Sequence, residues 1–419
     1  MNAPAESTAH AVDSPSATPP RPGPNRLRLR LRLPLYGAAV LLVSLNMRPA
    51  IAAVSPLLDD IKESTGTTNT VVGVVSTLPL ICSVALAPLA PRLARRFGMT
   101  RILLAVLLIL LGGVAVRLAP SLPPLFAGTV LVGSAIAVAN VIVPALIKRD
   151  FPRHVGLMSG LHTTMLVGGG ALAAGLTVPL RDTLGLDWPG GLAVWGVLIL
   201  LATAVWSPLV RRGDHAPGTA TPRTDRGRGL RRDRLAWAVT LFYACQSLLF
   251  YTVTTWLPTL YTSHEMSESR AGALLSLCFG SAVVTALVVP VWAGRSARQS
   301  HLAVAGSALC AIGVLALAVA PTAAPALWSA VIGLGLGAVL SLGIAFMSMR
   351  ARDAHDAGLL AAMSHGVGYL IAAIGPVLFG FAKDTTGTWT PGLLVLALAA
   401  ALMALAGTAA GRGGHVTSR

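Results

Sequence analysis

Charge is what this sequence has least of. Only 11% of its residues are Asp, Glu, Lys or Arg, where a soluble globular chain carries about 25%. The 16 acidic residues all fall in polar stretches at or between long apolar runs, a segregation that a hydrocarbon solvent imposes and water does not. A water-soluble enzyme of ordinary composition is thereby excluded. Cysteine is also scarce. Cys82, Cys245, Cys278 and Cys310 each lie inside an apolar run with no CxxC spacing, which argues against a disulfide framework and against a cysteine metal site. There is no nucleotide-binding loop, haem motif or metal-ligand cluster, and no cofactor is expected. The glycine runs Gly168 to Gly170 and Gly333, Gly335, Gly337 have no strand before them and no Lys-Ser or Lys-Thr after, so close helix packing accounts for them better than phosphate binding.

What is present is apolar length. The chain is 54% hydrophobic with a mean hydropathy of +0.72. Twelve apolar segments, near 34–58, 70–91, 102–119, 124–147, 156–180, 189–210, 235–261, 270–293, 301–320, 325–349, 358–382 and 390–411, are each of the roughly 17 to 25 residues that cross a core of about 30 Å. The fold class is an all-α membrane protein of twelve transmembrane helices, with the lipid bilayer as its main partner. Lys and Arg set the orientation. With a cytoplasmic N-terminus, 26 of the 32 lie in inner segments and only Lys62, Arg117, Arg181, Arg270 and Lys383 in outer loops, leaving Arg48 inside a span. Both termini are therefore expected in the cytoplasm, and the richness in Arg and Ala suggests a bacterial inner membrane. The net charge of +16 is mainly a topology signal. Nucleic acid is not an expected partner, because the arginines are spread over seven short segments and form no single face.

The longest inner loop divides the chain in two. The expected organisation is a disordered tail over 1–33, a six-helix bundle over 34–210, a linker over 211–234, a second bundle over 235–411 and a short tail over 412–419. The halves repeat one another. Arg181, Asp182, Thr183, Gly185, Trp188 and Gly190 are echoed by Lys383, Asp384, Thr385, Gly387, Trp389 and Gly392 at offsets of 201 or 202; Pro56 pairs with Pro258, Pro91 with Pro290, Gly156 with Gly358 and His162 with His365 at offsets between 199 and 203. An offset of six helices preserves direction through the membrane, so the repeat is parallel. Such duplication suits alternating access, because two similar bundles give two open states of nearly equal energy.

The loop after the second segment, PRLARRFGMTR over 91–101, resembles the signature loop of the major facilitator superfamily. Leu93, Ala94, Arg96, Gly98 and Arg101 fit it, whereas Pro91 replaces the first glycine and Arg95 the aspartate, which puts that aspartate's usual relay role in question. The segments NMRPAIAAVSPLL (46–58), APLAPRLARRFG (87–98), NVIVPALIKRDFP (140–152), QSLLFYTVTTWLPTLY (246–261) and GYLIAAIGPVLFG (368–380) are together similar to the cyanate and 2-nitroimidazole transporter (CynX/NimT) family. The resemblance implies two rocking six-helix bundles that carry a small solute as a monomer. A small anion such as cyanate is the favoured class, an exporter of nitroimidazole-like aromatics the alternative, and a membrane sensor or enzyme a remote third.

Arg48 is the sharpest candidate. Buried in hydrocarbon, an arginine costs about 2.5 to 3.5 kcal/mol on insertion scales unless it faces a polar cavity. It reads either as a forked donor for an anion or as a cap on carbonyls freed by Pro49. Asn46, about 200° away around the helix, is a substrate contact or a hydrogen bond between helices. Helix 7 contributes Tyr243, Gln246 and Tyr251; the repeat puts Tyr251 near the depth of Arg48. Asn140 and Tyr369 are expected to line the cavity. His162 and His365 form a possible proton-coupling pair, histidine being the side chain that titrates near neutral pH, or are ordinary helix contacts. Lys148 and Arg149, with Arg92, Arg95 and Asp353, are topology anchors or an inner gate.

Overall fold

The structure, a computed structural model, describes residues 24–152, 154–210, 230, 232–296, 298–352 and 354–416. Among these are twelve helical spans long and apolar enough to cross a membrane. We label them α1 (Leu35–Thr65), α2 (Asn69–Leu86), α3 (Met99–Val116), α4 (Leu122–Asp150), α5 (Leu157–Thr183), α6 (Trp188–Val210), α7 (Arg234–Thr262), α8 (Glu268–Arg295), α9 (Ser300–Val319), α10 (Pro325–Met349), α11 (Asp356–Thr386) and α12 (Thr390–Ala410). A short helix, Ala90–Phe97, carries the signature-like loop between α2 and α3.

Two expected boundaries move. Helix begins at Pro24 and runs to Asn46, so residues 24–33 of the expected tail are helical. Their alternating Arg and Leu are both good helix formers, and charge had masked that propensity. Residues 39–416 belong to one compact unit. At the other terminus Val416 is fully buried and donates its amide to the Arg350 carbonyl at 2.8 Å, so part of the expected 412–419 tail is packed. The expected linker is largely outside the described residues, as are 1–23 and Asp353.

The repeat is visible in the packing. Within the first half α3 packs on α4 and α6, and α2 on α4; α9 on α10 and α12, and α8 on α10, are the equivalents in the second half. Between halves, α2 packs on α11 and α5 on α8, pairs that exchange under a six-helix offset. Glycines let these helices touch backbone to backbone: a Cβ on Gly73 would lie 2.6 Å from the Pro376 carbonyl oxygen, and one on Gly272 would lie 2.4 Å from that of Ala174. Gly185 and Gly387, repeat mates, both take left-handed backbone conformations (φ 63° and 71°) where α5 and α11 end, a role in which glycine has no steric penalty. Gly333 and Gly337 press on the carbonyls of Cys278 and Ala282, as expected for packing glycines. Leu200, Leu201, Ile312, Leu394 and Leu398 stay exposed on the outer face, where lipid takes the place of a partner.

Candidate functional site

The site grows from a break in α1. Pro49 has no N–H to give the Leu45 carbonyl, and the helix stops at Asn46 and resumes over Pro49–Ala52 with Arg48 at the joint. Helix α5 closes on this gap: a Cβ on Gly169 would sit 2.3 Å from the Leu45 oxygen, and Gly170 lies against the Arg48 Cβ. Beyond Ala52 the chain turns through a tight 3-10 segment, Ser55–Leu57, before Leu58–Thr65.

Arg48 is half-buried, and its guanidinium carbon stands 4.8 Å from the centre of the Phe250 ring and 6.0 Å from that of Tyr251, both on α7. Such stacking suits the planar guanidinium. It has no hydrogen bond or ion pair among the described residues. From Tyr251 a row of aromatic rings runs through the second half, from α7 to α11: Tyr369 lies edge-on to Tyr251 at 6.2 Å, Tyr243 gives its hydroxyl to that of Tyr369 at 3.5 Å, and His365 packs on Tyr243 at 4.7 Å between ring centres. Tyr369 and His365 also line a cavity of about 630 Å³ with Asn140, Ser83 and Pro91. On the other side of Arg48, a cavity of about 40 Å³ is lined by Arg48, Tyr251, Ser55, Ser76 and Thr255, together with Arg117. No carboxylate lines either cavity among the described residues.

The structure thus brings Arg48, Tyr251, Tyr369, Tyr243, His365 and Asn140 together and leaves others aside. Asn46 is 1% exposed, donates Nδ2 to the Leu42 carbonyl at 2.8 Å, and keeps its Oδ1 without a partner. Gln246, also 1% exposed, accepts from the Ser247 hydroxyl at 3.3 Å. Neither lines either cavity. His162 bonds Ser44 at 2.7 Å through Nδ1. Because the Ser44 hydroxyl hydrogen already goes to the Val40 carbonyl at 2.8 Å, Nδ1 of His162 is the donor. His365 likewise donates Nδ1–H to the Ala361 carbonyl at 2.8 Å. Both rings therefore keep Nε2 as their basic nitrogen, and no contact joins the two histidines. A buried acid does exist: Asp356, 2% exposed, at the first turn of α11. It lines neither cavity.

At the α1–α2 turn the halves are latched. Ser55 donates to the carbonyls of Thr254 and Thr255 at 2.6 and 2.7 Å. Arg181 at the end of α5 joins Asp60 of α1 and Glu268 of α8, with Asp182 beside it. Asp384 of α11 takes the amides of Asn69 and Thr70 and both their side chains at 2.6 to 3.2 Å, capping the N-terminus of α2 from the other half. At the opposite end Lys148, Arg92 and Arg95 are exposed. Arg149 forks onto neighbouring Asp150 at 2.6 and 2.9 Å. No ion pair involves Arg92 or Arg95 among the described residues, and Asp353, the remaining member of the expected inner gate, lies outside them.

A profile of the Major Facilitator Superfamily matches residues 40–376. The chain belongs to the major facilitator superfamily. Among curated relatives of this facilitator, the 2-nitroimidazole transporter of Escherichia coli (strain K12) is 38% identical, covering 90% of this chain and 95% of the relative. The cyanate transport protein CynX of the same organism is 28% identical over 84% and 90%. Among solved structures, the D-xylose-proton symporter matches with a TM-score of 0.74 at 15% identity over 88% of this chain and 96% of that one, which shows the fold. The facilitator is accordingly a multi-pass membrane transport protein and not an enzyme.

Sequence reading missed two groups in this facilitator. Arg117 counts in the sequence only as an outer-loop positive charge and Arg181 as that and as a repeat marker, yet Arg117 is 1% exposed beside Arg48 and Arg181 anchors the latch. For the latch a signal existed: the repeated Arg-Asp-Thr and Lys-Asp-Thr stretches end α5 and α11, the helices that cross between halves.

Proposed function

We propose that this protein is a secondary active transporter that moves a small polar solute, by preference a small anion such as cyanate, across the bacterial inner membrane by alternating access. The observation that carries the reading is Arg48: a guanidinium at a helix break, without an acidic partner, lining the small cavity between the halves. A fork of this kind recognises a carboxylate-like or linear anion by charge-assisted bonds. The small cavity is of a size for about two or three water-sized groups, the dimension of a three-atom anion. Likeness to a cyanate transport protein over most of the chain supports the class.

With both termini in the cytoplasm, as the Lys and Arg distribution indicates, the latch is the closed outer gate and the cavity of about 630 Å³ is the path to the cytoplasm. The working unit is a monomer of two rocking six-helix bundles. Energy comes from a solute or proton gradient, with His162 and His365 as the residues that take up the proton on Nε2. Uptake by proteoliposomes is then driven by an imposed inward proton gradient, and His365→Gln removes that dependence; rates of the native protein that do not respond to the gradient remove the coupling.

A second reading rests on a specific observation. The row of Tyr251, Tyr369, Tyr243 and His365 offers ring faces and edges to a flat aromatic solute, and the more similar curated relative is a 2-nitroimidazole transporter. A nitro group presents two acceptor oxygens much as a carboxylate does, so Arg48 serves this class as well. Counterflow with the native protein decides: exchange of labelled cyanate supports the anion, and exchange of labelled 2-nitroimidazole alone puts the aromatic solute first.

A further inference from the structure

The break in α1 leaves a carbonyl that must be satisfied, and the residue that does so is not the one next to it. In a continuous helix the Val54 amide would bond Ala50; here it turns to the Ile51 carbonyl at 3.2 Å. Inside a bilayer no bulk water can take a stranded carbonyl. Arg48 is the nearest candidate in sequence, but its guanidinium lies over Phe250 and Tyr251. Arg117, arriving from the end of α3, gives Nη1 to the Ala50 oxygen at 2.6 Å and Nη2 to Thr129 of α4 at 2.9 Å. The Thr129 hydroxyl donates in turn to the Leu125 carbonyl at 2.6 Å, which fixes it as the acceptor for Arg117. Gly128 opens the groove through which the side chain passes: a Cβ there would lie 2.6 Å from the Arg117 Cγ.

We propose that Arg117 is the positioning residue for Arg48: by holding the Ala50 carbonyl it keeps α1 broken and fastened to α3 and α4, which frees Arg48 for the solute. This inference rests on the reading of Arg48 as the solute's partner. One feature separates Arg117 from a plain structural tie. Its Nε is buried without an acceptor, whereas buried donors, cationic ones above all, are normally paired. The arrangement keeps two guanidinium groups on a cavity free of carboxylates, so the potential there favours an anion even before Arg48 bonds it.

The test compares Arg117→Met, Arg117→Lys and Arg48→Gln in proteoliposomes, with labelled cyanate and labelled 2-nitroimidazole as probes and hydrogen exchange of the 49–57 segment as a readout independent of any solute. Arg117→Met is expected to raise KM for the transported probe about tenfold or more, the scale of losing a charged hydrogen bond. Its yield and kcat should stay within about twofold of native, and Arg117→Lys should restore part of the affinity. Exchange over 49–57 should quicken by about tenfold, with the rest of α1 unchanged. An unchanged KM, a loss confined to yield or kcat, or unchanged exchange of 49–57 overturns the proposal; if neither probe moves, exchange alone decides. Should Arg48→Gln leave KM unaffected while exchange responds to Arg117→Met, the solute reading fails and the positioning role stands.

Discussion

At the scale of single residues, Gly169 shows how little space the site leaves. Its Cα is pressed on the Leu45 carbonyl that Pro49 leaves without a donor, and a methyl group there would meet that oxygen at 2.3 Å and the Pro49 Cδ at 3.2 Å. Gly169→Ala should therefore displace α5 or α1 and destabilise the fold by about 1 to 3 kcal/mol. Gly168→Ala, where a Cβ would meet nothing within 4 Å, should be harmless. Thermal unfolding of the two variants in detergent checks the contrast, and equal midpoints would refute it. Arg48 was legible in the sequence because a charge inside an apolar run stands out. Arg117 was not, since a charge at the end of a run reads as a loop residue whether it faces water or folds back into the interior. Gln246 and Tyr243 show the converse: on one helix, sequence named both polar residues, but only packing tells that Gln246 is enclosed while Tyr243 joins the aromatic row.

At the scale of elements, proline and glycine made the break in α1 and the close crossing of α5 readable. The extension of α1 to Thr65 was not, because Asp59, Asp60, Lys62 and Glu63 mark the end of an apolar run even where the helix continues into the latch. There the ends of α1, α5 and α11 and the starts of α2 and α8 meet through Asp60, Arg181, Glu268 and Asp384, and these bonds must part if the bundles rock. Arg181→Gln removes the shared cation and leaves Asp60 and Glu268 to repel each other, so it should shift the population toward the state open at this end. A cysteine at Ser76, which lines the small cavity, reports on this. The native cysteines are buried. Labelling of Ser76→Cys by a membrane-impermeant thiol reagent from the latch side should quicken several-fold in the Arg181→Gln background, and unchanged labelling would contradict a gating role.

At the scale of the whole molecule, the repeat carried most of the fold. Twelve spans and the pairing of halves follow from hydropathy and a shared offset, because a hydrocarbon solvent enforces the first and duplication the second. What the offset could not supply is which faces of α2, α5, α8 and α11 meet, since that depends on small residues such as Gly73 and Gly272 found only once the helices are docked. The Lys and Arg pattern predicts that tags at the two termini are degraded together by protease added to the cytoplasmic face of inverted vesicles, and protection of either tag would refute the orientation.

The central claim is that Arg48 holds the solute. It is tested most directly by the initial rate of labelled cyanate uptake into proteoliposomes under an inward proton gradient, native protein against Arg48→Gln. The account predicts a loss of about tenfold or more, the value of one charge-assisted hydrogen bond, with the variant folded and reconstituted to the native level. Native uptake that Arg48→Gln leaves unchanged would contradict it.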